Sequence, residues 1–325
     1  MRTLKQKMSA QNAAINGKPT VISIFAGCGG SSLGYKQAGF KELLAIDFDR
    51  NAVEIFRLNF KDTPIWQRDI KEITVKEIVD FCNIKKGSLD VLDGSPPCQG
   101  FSTAGKRKVM DERNDLFKEY IRLIEGLQPK VFVMENVSGM VKGKMKGKFI
   151  EIMKLLKAIG YNVKCKLMNT MYYQVPQSRQ RLIWIGTRND LGRLPEFPKP
   201  QTSRPITVSQ AFKDIDGTKN HNPKPLNKNI KSYRNWFKAR GTRIPVLGQS
   251  IYRLELHRPS FTIKSSSEMF HPTEPRRLTT REYLRLFSFP DDYQIKLNSH
   301  VKIGNSVPPK FMEAIARNIK ENILQ

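Results

Sequence analysis

Cysteine is scarce. The four residues, at 28, 82, 98 and 165, leave no two close enough for a metal-ligand pair or a small disulfide framework, so no metal site is expected. That spacing suits a reducing compartment. Long apolar runs are missing as well. No stretch approaches the roughly 18 uncharged apolar residues needed to span a bilayer, and Met1 to Lys18 lacks the apolar centre of a secretory signal. The expectation is a cytoplasmic protein with no membrane partner. No Gly-Lys-Ser or Gly-Lys-Thr phosphate loop occurs, which argues against a nucleotide triphosphatase. Acids are few, 30 against 56 Lys and Arg, for a formal charge of +26. Between Gly217 and Leu254 there are none, while nine basic residues lie there. This imbalance points to a polyanionic partner. Tyr233, Trp236, Phe237 and Tyr252 interleave with those basic residues, a composition suited to phosphate contact and base stacking, or equally to a small core.

What is present is a repeating alternation. Val21 to Phe25 is a short apolar run ended by glycines, with helical spacing from Ser31 to Ala38. Leu43 to Ile46 leads into a helix from Asn51 to Phe60. Leu89 to Leu92, Val131 to Met134 and Leu182 to Ile185 read as strands, separated by helical faces over Leu116 to Leu127 and Phe149 to Ile159. Strands alternating with helices predict a mostly parallel sheet covered on both faces. From about Asp190 the texture turns to scattered Pro, Asn and Lys, and helical patterns return at Thr280 to Phe287 and Lys310 to Ile323. The change of texture divides the chain into a flexible segment (1–18), an alternating strand–helix domain (19–189), a smaller irregular domain (190–275) and a C-terminal segment (276–325).

Two ends of the sheet carry chemistry. Phe25-Ala26-Gly27-Cys28-Gly29-Gly30 follows the first strand, where glycines let backbone approach a ligand and the next helix offers free amides. Taken alone, such a turn is often only a turn. Asp47-Phe48-Asp49 closes the second strand, an acid about 20 residues beyond the glycines, where dinucleotide folds hold ribose hydroxyls. Further along, Gly94-Ser95-Pro96-Pro97-Cys98-Gln99 sets a thiol at the carboxyl end of a strand. A thiolate there is a competent nucleophile, whereas Cys28, Cys82 and Cys165 read as buried hydrophobes. Glu135 closes the next strand at the same edge. Arg179 and Arg181, on alternate residues, share one face of an extended segment. Thiol, carboxyl and two guanidinium groups can converge.

In this order, Pro96-Pro97-Cys98-Gln99, Glu135-Asn136-Val137, Pro176-Gln177-Ser178-Arg179-Gln180-Arg181 and Gly304-Asn305-Ser306-Val307-Pro308 resemble the DNA cytosine carbon-5 methyltransferase family, of the bacterial single-chain type. Arg276-Arg277-Leu278-Thr279 with Phe289-Pro290 adds to the likeness, which covers about two-thirds of the chain. It implies a Rossmann-like α/β sheet that binds S-adenosylmethionine, with residues 19–189 as catalytic and cofactor-binding domain, 190–275 as target-recognition domain, and the last helix of 276–325 returning to the catalytic domain. Carried over by position, Phe25, Ala26, Gly27, Gly29 and Gly30 would hold the methionine moiety, Asp47 the ribose and Phe48 the adenine face. Asp69 and Ile70 would read the adenine edge, and Pro97, Leu116, Asn305 and Ser306 would line the same pocket. Two residues depart from the pattern: Ser23, where an Asp is common, and Gln174, where a Gly is common.

The resemblance also implies a reaction. Cys98 would attack carbon 6 of a cytosine extruded from duplex DNA. Glu135 would neutralise charge at ring nitrogen 3, Arg181 would bind the 2-oxygen and Arg179 would order the carboxyl group. The product would be S-adenosylhomocysteine. The stretch from Gly100 to Asn114, with Lys106-Arg107-Lys108, is long and polar enough to close over DNA, and Lys142 to Lys148 reads as a solvated loop. Monomeric action is expected, with a cognate restriction endonuclease as the possible companion. The rivals are a tRNA cytosine-5 methyltransferase and a catalytically silent DNA-binding module of the same fold.

Overall fold

Residues Thr20 to Ile24 alternate their side chains between two faces of a strand, and the two halves of that alternation enter different cores. Ile22 and Ile24 pack with Leu44, Leu92, Phe132, Met134 and Trp184 on one side, while Val21 packs with Val91, Val131, Val133, Ile183 and Ile185 on the other. A sheet apolar on both faces must be covered on both. The computed structural model of the chain describes residues 17–97, 115–141, 145–215, 243–246, 249–265, 267–295 and 300–325. Cys98, the 100–114 stretch, Lys142, Lys144 and the aromatics Tyr233, Trp236 and Phe237 lie outside the described residues.

The sheet contains β1 (Thr20–Ile24), β2 (Lys41–Asp47), β3 (Ile65–Gln67), β4 (Val91–Gly94), β5 (Val131–Val137), β6 (Tyr161–Asn169) and β7 (Gln180–Arg188), in the order β3-β2-β1-β4-β5-β7-β6. Strand β7 alone runs antiparallel, between β5 and β6. The intervening helices are α1 (Gly30–Gln37), α2 (Arg50–Asn59), α3 (Val75–Cys82), α4 (Asp115–Leu127) and α5 (Met145–Ala158). One face is covered by Tyr120, Leu123 and Ile124 of α4 with Ile152 and Leu156 of α5. The other is covered by Tyr35 of α1 and by Phe311, Ile315 and Ile319 of α9 (Pro309–Asn322), so the last helix lies back on the first crossover. Glycines permit that return: a Cβ on Gly30 would sit 2.1 Å from the Val307 carbonyl oxygen, and one on Gly34 2.6 Å from Met312 Cβ.

Local sequence sets several boundaries. Asp49 caps α2 by accepting from the Ala52 amide, and Thr74 with Glu77 forms a reciprocal capping box on α3. The same device, Thr279 with Glu282, starts α7 (Thr280–Leu286). Strand β4 lies two residues later than the sequence pattern implies, because Asp93 and Gly94 are buried within it rather than ending it. Gly94 is there to admit Tyr120, whose ring lies 2.6 Å from where a Cβ would stand.

After β7 the chain forms the short helix α6 (Val208–Phe212) and a three-stranded sheet of β8 (Arg243–Val246), β9 (Gln249–Arg253) and β10 (Ser267–Phe270). A third cluster, with Phe56, Met269, Leu284, Phe287 and Tyr293, joins this region to α2. Helix α8 (His300–Asn305) then leads to α9. Gln174 has φ 58, a left-handed backbone that explains why glycine suits this position.

Candidate active site

The carboxyl end of β1 is shaped by two residues in left-handed backbone, Phe25 (φ 59) and Gly27 (φ 57). A non-glycine residue held there is a strained feature of the kind found where a ligand is gripped. The Gly27 amide donates to Asp47 Oδ2 at 2.7 Å, and the Asp49 amide donates to Asp47 Oδ1 at 2.8 Å, so the ends of β1 and β2 are tied through one carboxylate. Burial raises the Asp47 carboxyl above its ordinary range, against the pull of those two amides. Nothing lies within 4 Å of the position of a Cβ on Gly27, and Phe48 is 69% exposed. An open glycine, a carboxylate at a strand end and an uncovered aromatic face match what a nucleoside joined to an amino acid needs. Asp69 caps the next turn by accepting from the Lys71 amide at 3.0 Å, followed by buried Ile70.

Glycine identity has a different cause at the other two positions. A Cβ on Gly29 would meet the Phe60 ring at 2.4 Å and one on Gly30 the Val307 carbonyl oxygen at 2.1 Å, so packing demands glycine at both. Ser306 is buried, its hydroxyl 2.9 Å from Cys28 Sγ and donating to the Lys302 carbonyl at 3.0 Å. Its contact is therefore with the glycine turn. The Tyr293 hydroxyl donates to the Cys28 carbonyl, and Lys302 pairs with Asp49, so the C-terminal segment buttresses the turn from several sides. Asn305 is exposed, while Pro97 and Leu116 are half-buried.

The second end of the site is built by β4, β5 and β7. Glu135 and Arg181 form a buried ion pair, Nε to Oε1 at 2.6 Å. Asn136 Nδ2 donates to the Pro96 carbonyl at 2.9 Å, which ties the strand carrying Glu135 to the Pro96-Pro97 lead into Cys98. The three described cysteines are thiols at neutral pH: burial pushes Cys28 up to about 11, and Cys82 and Cys165 up to about 12.

Arg179 departs from expectation. Its charge acts on Glu135, but the direct ion pair with that carboxyl is made by Arg181. Arg179, 3% exposed, donates to the carbonyls of Ile263 (2.8 Å), Gly304 (3.1 Å) and Ser306 (3.3 Å), and its guanidinium lies 5.2 Å from the Phe287 ring centre. Its Nε has no partner among the described residues. The physical reason is reach: Arg179 precedes β7, where the returning chain runs alongside, with Ser178 N on the Ser260 carbonyl and Ser260 N on the Pro176 carbonyl. Arg181 lies inside the strand, paired in register with Val137, beside Glu135.

Under the first turn of α1 lie two buried acids that sequence reading did not single out. Glu42 accepts from the Ser32 hydroxyl at 2.8 Å and Asp93 from the Tyr35 hydroxyl at 3.4 Å. Burial pushes Glu42 up to about 7 and Asp93 up to about 8. Asp93 is the ladder partner of Ser23 on the neighbouring strand.

The family model for C-5 cytosine-specific DNA methylase matches residues 19–321. The chain is 35% identical to Type II methyltransferase M1.HphI of Haemophilus parahaemolyticus, over 92% of this chain and 86% of that protein. It is 30% identical to M.NgoPII of Neisseria gonorrhoeae, over 93% and 96%. Among solved structures, a chain described as a DNA modification methyltransferase encoded within an E. coli prophage superposes with TM-score 0.78 at 25% identity, covering 95% of this chain and all of that one. The Dnmt2 methyltransferase of S. pombe shares the fold, with TM-score 0.67 at 18% identity over 93% and 98%.

Proposed function

Since the chain belongs to the C-5 cytosine-specific DNA methylase family and is a DNA (cytosine-5-)-methyltransferase, we propose that it methylates one cytosine of a specific duplex sequence by way of a transient bond to Cys98. The observation that carries this reading is the buried pair of Glu135 and Arg181, on the sheet edge that Asn136 ties to the Pro96-Pro97 lead into Cys98.

The chemistry needs each group. Carbon 5 of an aromatic pyrimidine is a poor nucleophile, so the ring must first be activated. The Cys98 thiolate adds to carbon 6, the ring π electrons move toward nitrogen 3, and Glu135 carries or shares the proton that meets them there. Arg181 holds that carboxyl and faces the 2-oxygen. Carbon 5, now enamine-like, forms the bond to methyl. Loss of the carbon-5 proton to a base then returns electrons to the ring and expels the thiolate. None of this is possible on a stacked base, so the cytosine leaves the duplex at a cost of about a few kcal/mol.

S-adenosylmethionine, when bound, supplies the methyl as a sulfonium electrophile. Phe25, Ala26, Gly27, Gly29 and Gly30 would hold its methionine end, with Asp47 on the ribose, Phe48 on the adenine face and Asp69 and Ile70 on the adenine edge. Pro97, Leu116, Asn305 and Ser306 would complete the pocket. Catalysis then belongs to residues 19–189 with the C-terminal segment, and target choice to 190–275. We infer monomeric action on cytoplasmic DNA, and the Type II relatives fit a companion endonuclease cutting the same site.

Bisulfite sequencing of DNA from cells expressing the protein should show protected cytosines in one sequence context. With duplex DNA carrying 5-fluorocytosine and S-adenosylmethionine, the enzyme should become covalently joined at Cys98. Methylation of tRNA but not of duplex DNA would move the substrate to the alternative reading, and a Cys98→Ser variant with full turnover would sink the covalent route.

A further inference from the structure

The adenine edge of the proposed pocket is a single tight turn, and its stiffness comes from a helix on the far side. Asp69 is followed by the turn Ile70–Glu72, which holds only two backbone bonds of its own, Glu72 N to the Asp69 carbonyl at 3.1 Å and Ile73 N to the Ile70 carbonyl at 3.3 Å. Such a short unit does not fix its own orientation. Arg122 of α4 does so: its Nη2 donates to the Ile70 carbonyl at 3.1 Å and to the Ile73 carbonyl at 2.9 Å. The guanidinium is itself held by Glu119, which accepts from Nε at 2.8 Å. On the open side Arg68 adds Nη2 to the Glu72 carbonyl at 3.0 Å, and its amide joins the Asp47 carbonyl at 3.2 Å. No charged ligand is needed to explain either arginine, since backbone carbonyls and the Glu119 and Glu77 carboxylates accept from them.

We propose that Arg122 is a positioning residue that sets the cofactor's base specificity, holding the turn from Asp69 to Ile73 at the angle that accepts adenine and refuses hypoxanthine. This rests on the cofactor reading given above. Adenine offers an amino donor at its 6-position and an acceptor at nitrogen 1; a carboxylate at Asp69 and the amide of Ile70 are complementary to that pair. Hypoxanthine reverses both, presenting a carbonyl and an N–H. Discrimination of that kind depends on polar groups held in place, because a turn free to swing can relieve the mismatch. Arg122 makes both turn bonds from Nη2 while Nε keeps Glu119, three bonds from one planar group that lysine does not reproduce.

The test compares S-adenosylhomocysteine with S-inosylhomocysteine, titrated calorimetrically against the full chain and its Arg122→Lys and Glu119→Gln variants. Wild type should favour the adenosyl compound strongly. In Arg122→Lys the ratio of the two affinities should fall by about tenfold, the scale of one hydrogen bond to a charged group. Glu119→Gln should move it the same way by less, and it keeps the test alive if Arg122→Lys does not fold. KM for S-adenosylmethionine should rise while kcat at saturation and DNA affinity hold. A variant that loses affinity for both compounds equally would show a merely structural arginine and overturn the proposal, as would an unchanged ratio. Wild type binding neither compound would instead refute the cofactor reading beneath it.

Discussion

At the scale of single residues, the two arginines show why identity and role are separable. Glu135→Gln keeps shape and hydrogen bonding but removes the charge partner of Arg181 and the proton carrier, so turnover should drop by about 10²- to 10⁴-fold with DNA affinity retained in a binding assay. Arg179→Lys should behave differently. It loses a fork that bonds three carbonyls, and the expected outcome is a fall in melting temperature with a comparatively small change in kcat for the folded fraction. Equal kcat losses in the two variants, without a stability difference, would contradict the assignment. Two arginines on alternate residues were legible in sequence as a pair on one face; which one meets Glu135 was not, because it depends on where β7 begins and on the chain that passes beside residues 176–178. Arg122 was hidden for a similar reason: a charge on a helix reads as solvated until its acceptors are known.

Asp93 supplies a pH test. Its folded value is raised, to about 8 from an ordinary 3.8. The stability it contributes is therefore fully present below pH 3.8 and is lost as pH rises through about 8. Glu42 acts in the same sense up to about 7. Asp93→Asn should flatten the decline in melting temperature between pH 5 and pH 9; an unchanged slope would mean that the buried carboxyl does not retain its proton.

At the scale of elements, the departure at Gln174 becomes a prediction. A left-handed residue with a side chain costs about 1–2 kcal/mol, and glycine's greater freedom in the unfolded chain returns roughly half of that. Gln174→Gly should therefore stabilise the protein by up to about 1 kcal/mol, seen as a rise in the denaturation midpoint; a loss would mean that the glutamine side chain outweighs the strain. The elements visible in sequence were those with strong apolar periodicity or caps, such as α2 and α9. Strand β3 is three residues long, and β6 carries Lys164 and Lys166 as the edge strand, so neither shows an apolar pattern. The antiparallel insertion of β7 leaves no local trace at all, since direction is a property of pairing.

Over the whole molecule, the charge of +26 predicts how the enzyme meets its polymer. Binding driven by displaced counterions should weaken about 10³-fold or more between 50 and 200 mM salt, measurable by fluorescence anisotropy on a labelled duplex. A flat response would mean that the basic surplus is not spent on phosphates. No described helix is long and apolar enough to cross a membrane.

The return of α9 onto α1, with Gly30 under Val307 and the Cys28 carbonyl on Tyr293, also orders events in time. A nascent chain that has exposed the glycine turn but not yet residues 293–319 lacks the wall against which that turn is set. Ribosome-stalled chains ending near 290 should fail to retain a fluorescent S-adenosylhomocysteine analogue that the released protein retains, and retention by the stalled species would show that the turn forms unaided. On this geometry the growing chain gains its donor site only once the stretch from Tyr293 through α9 has emerged and packed.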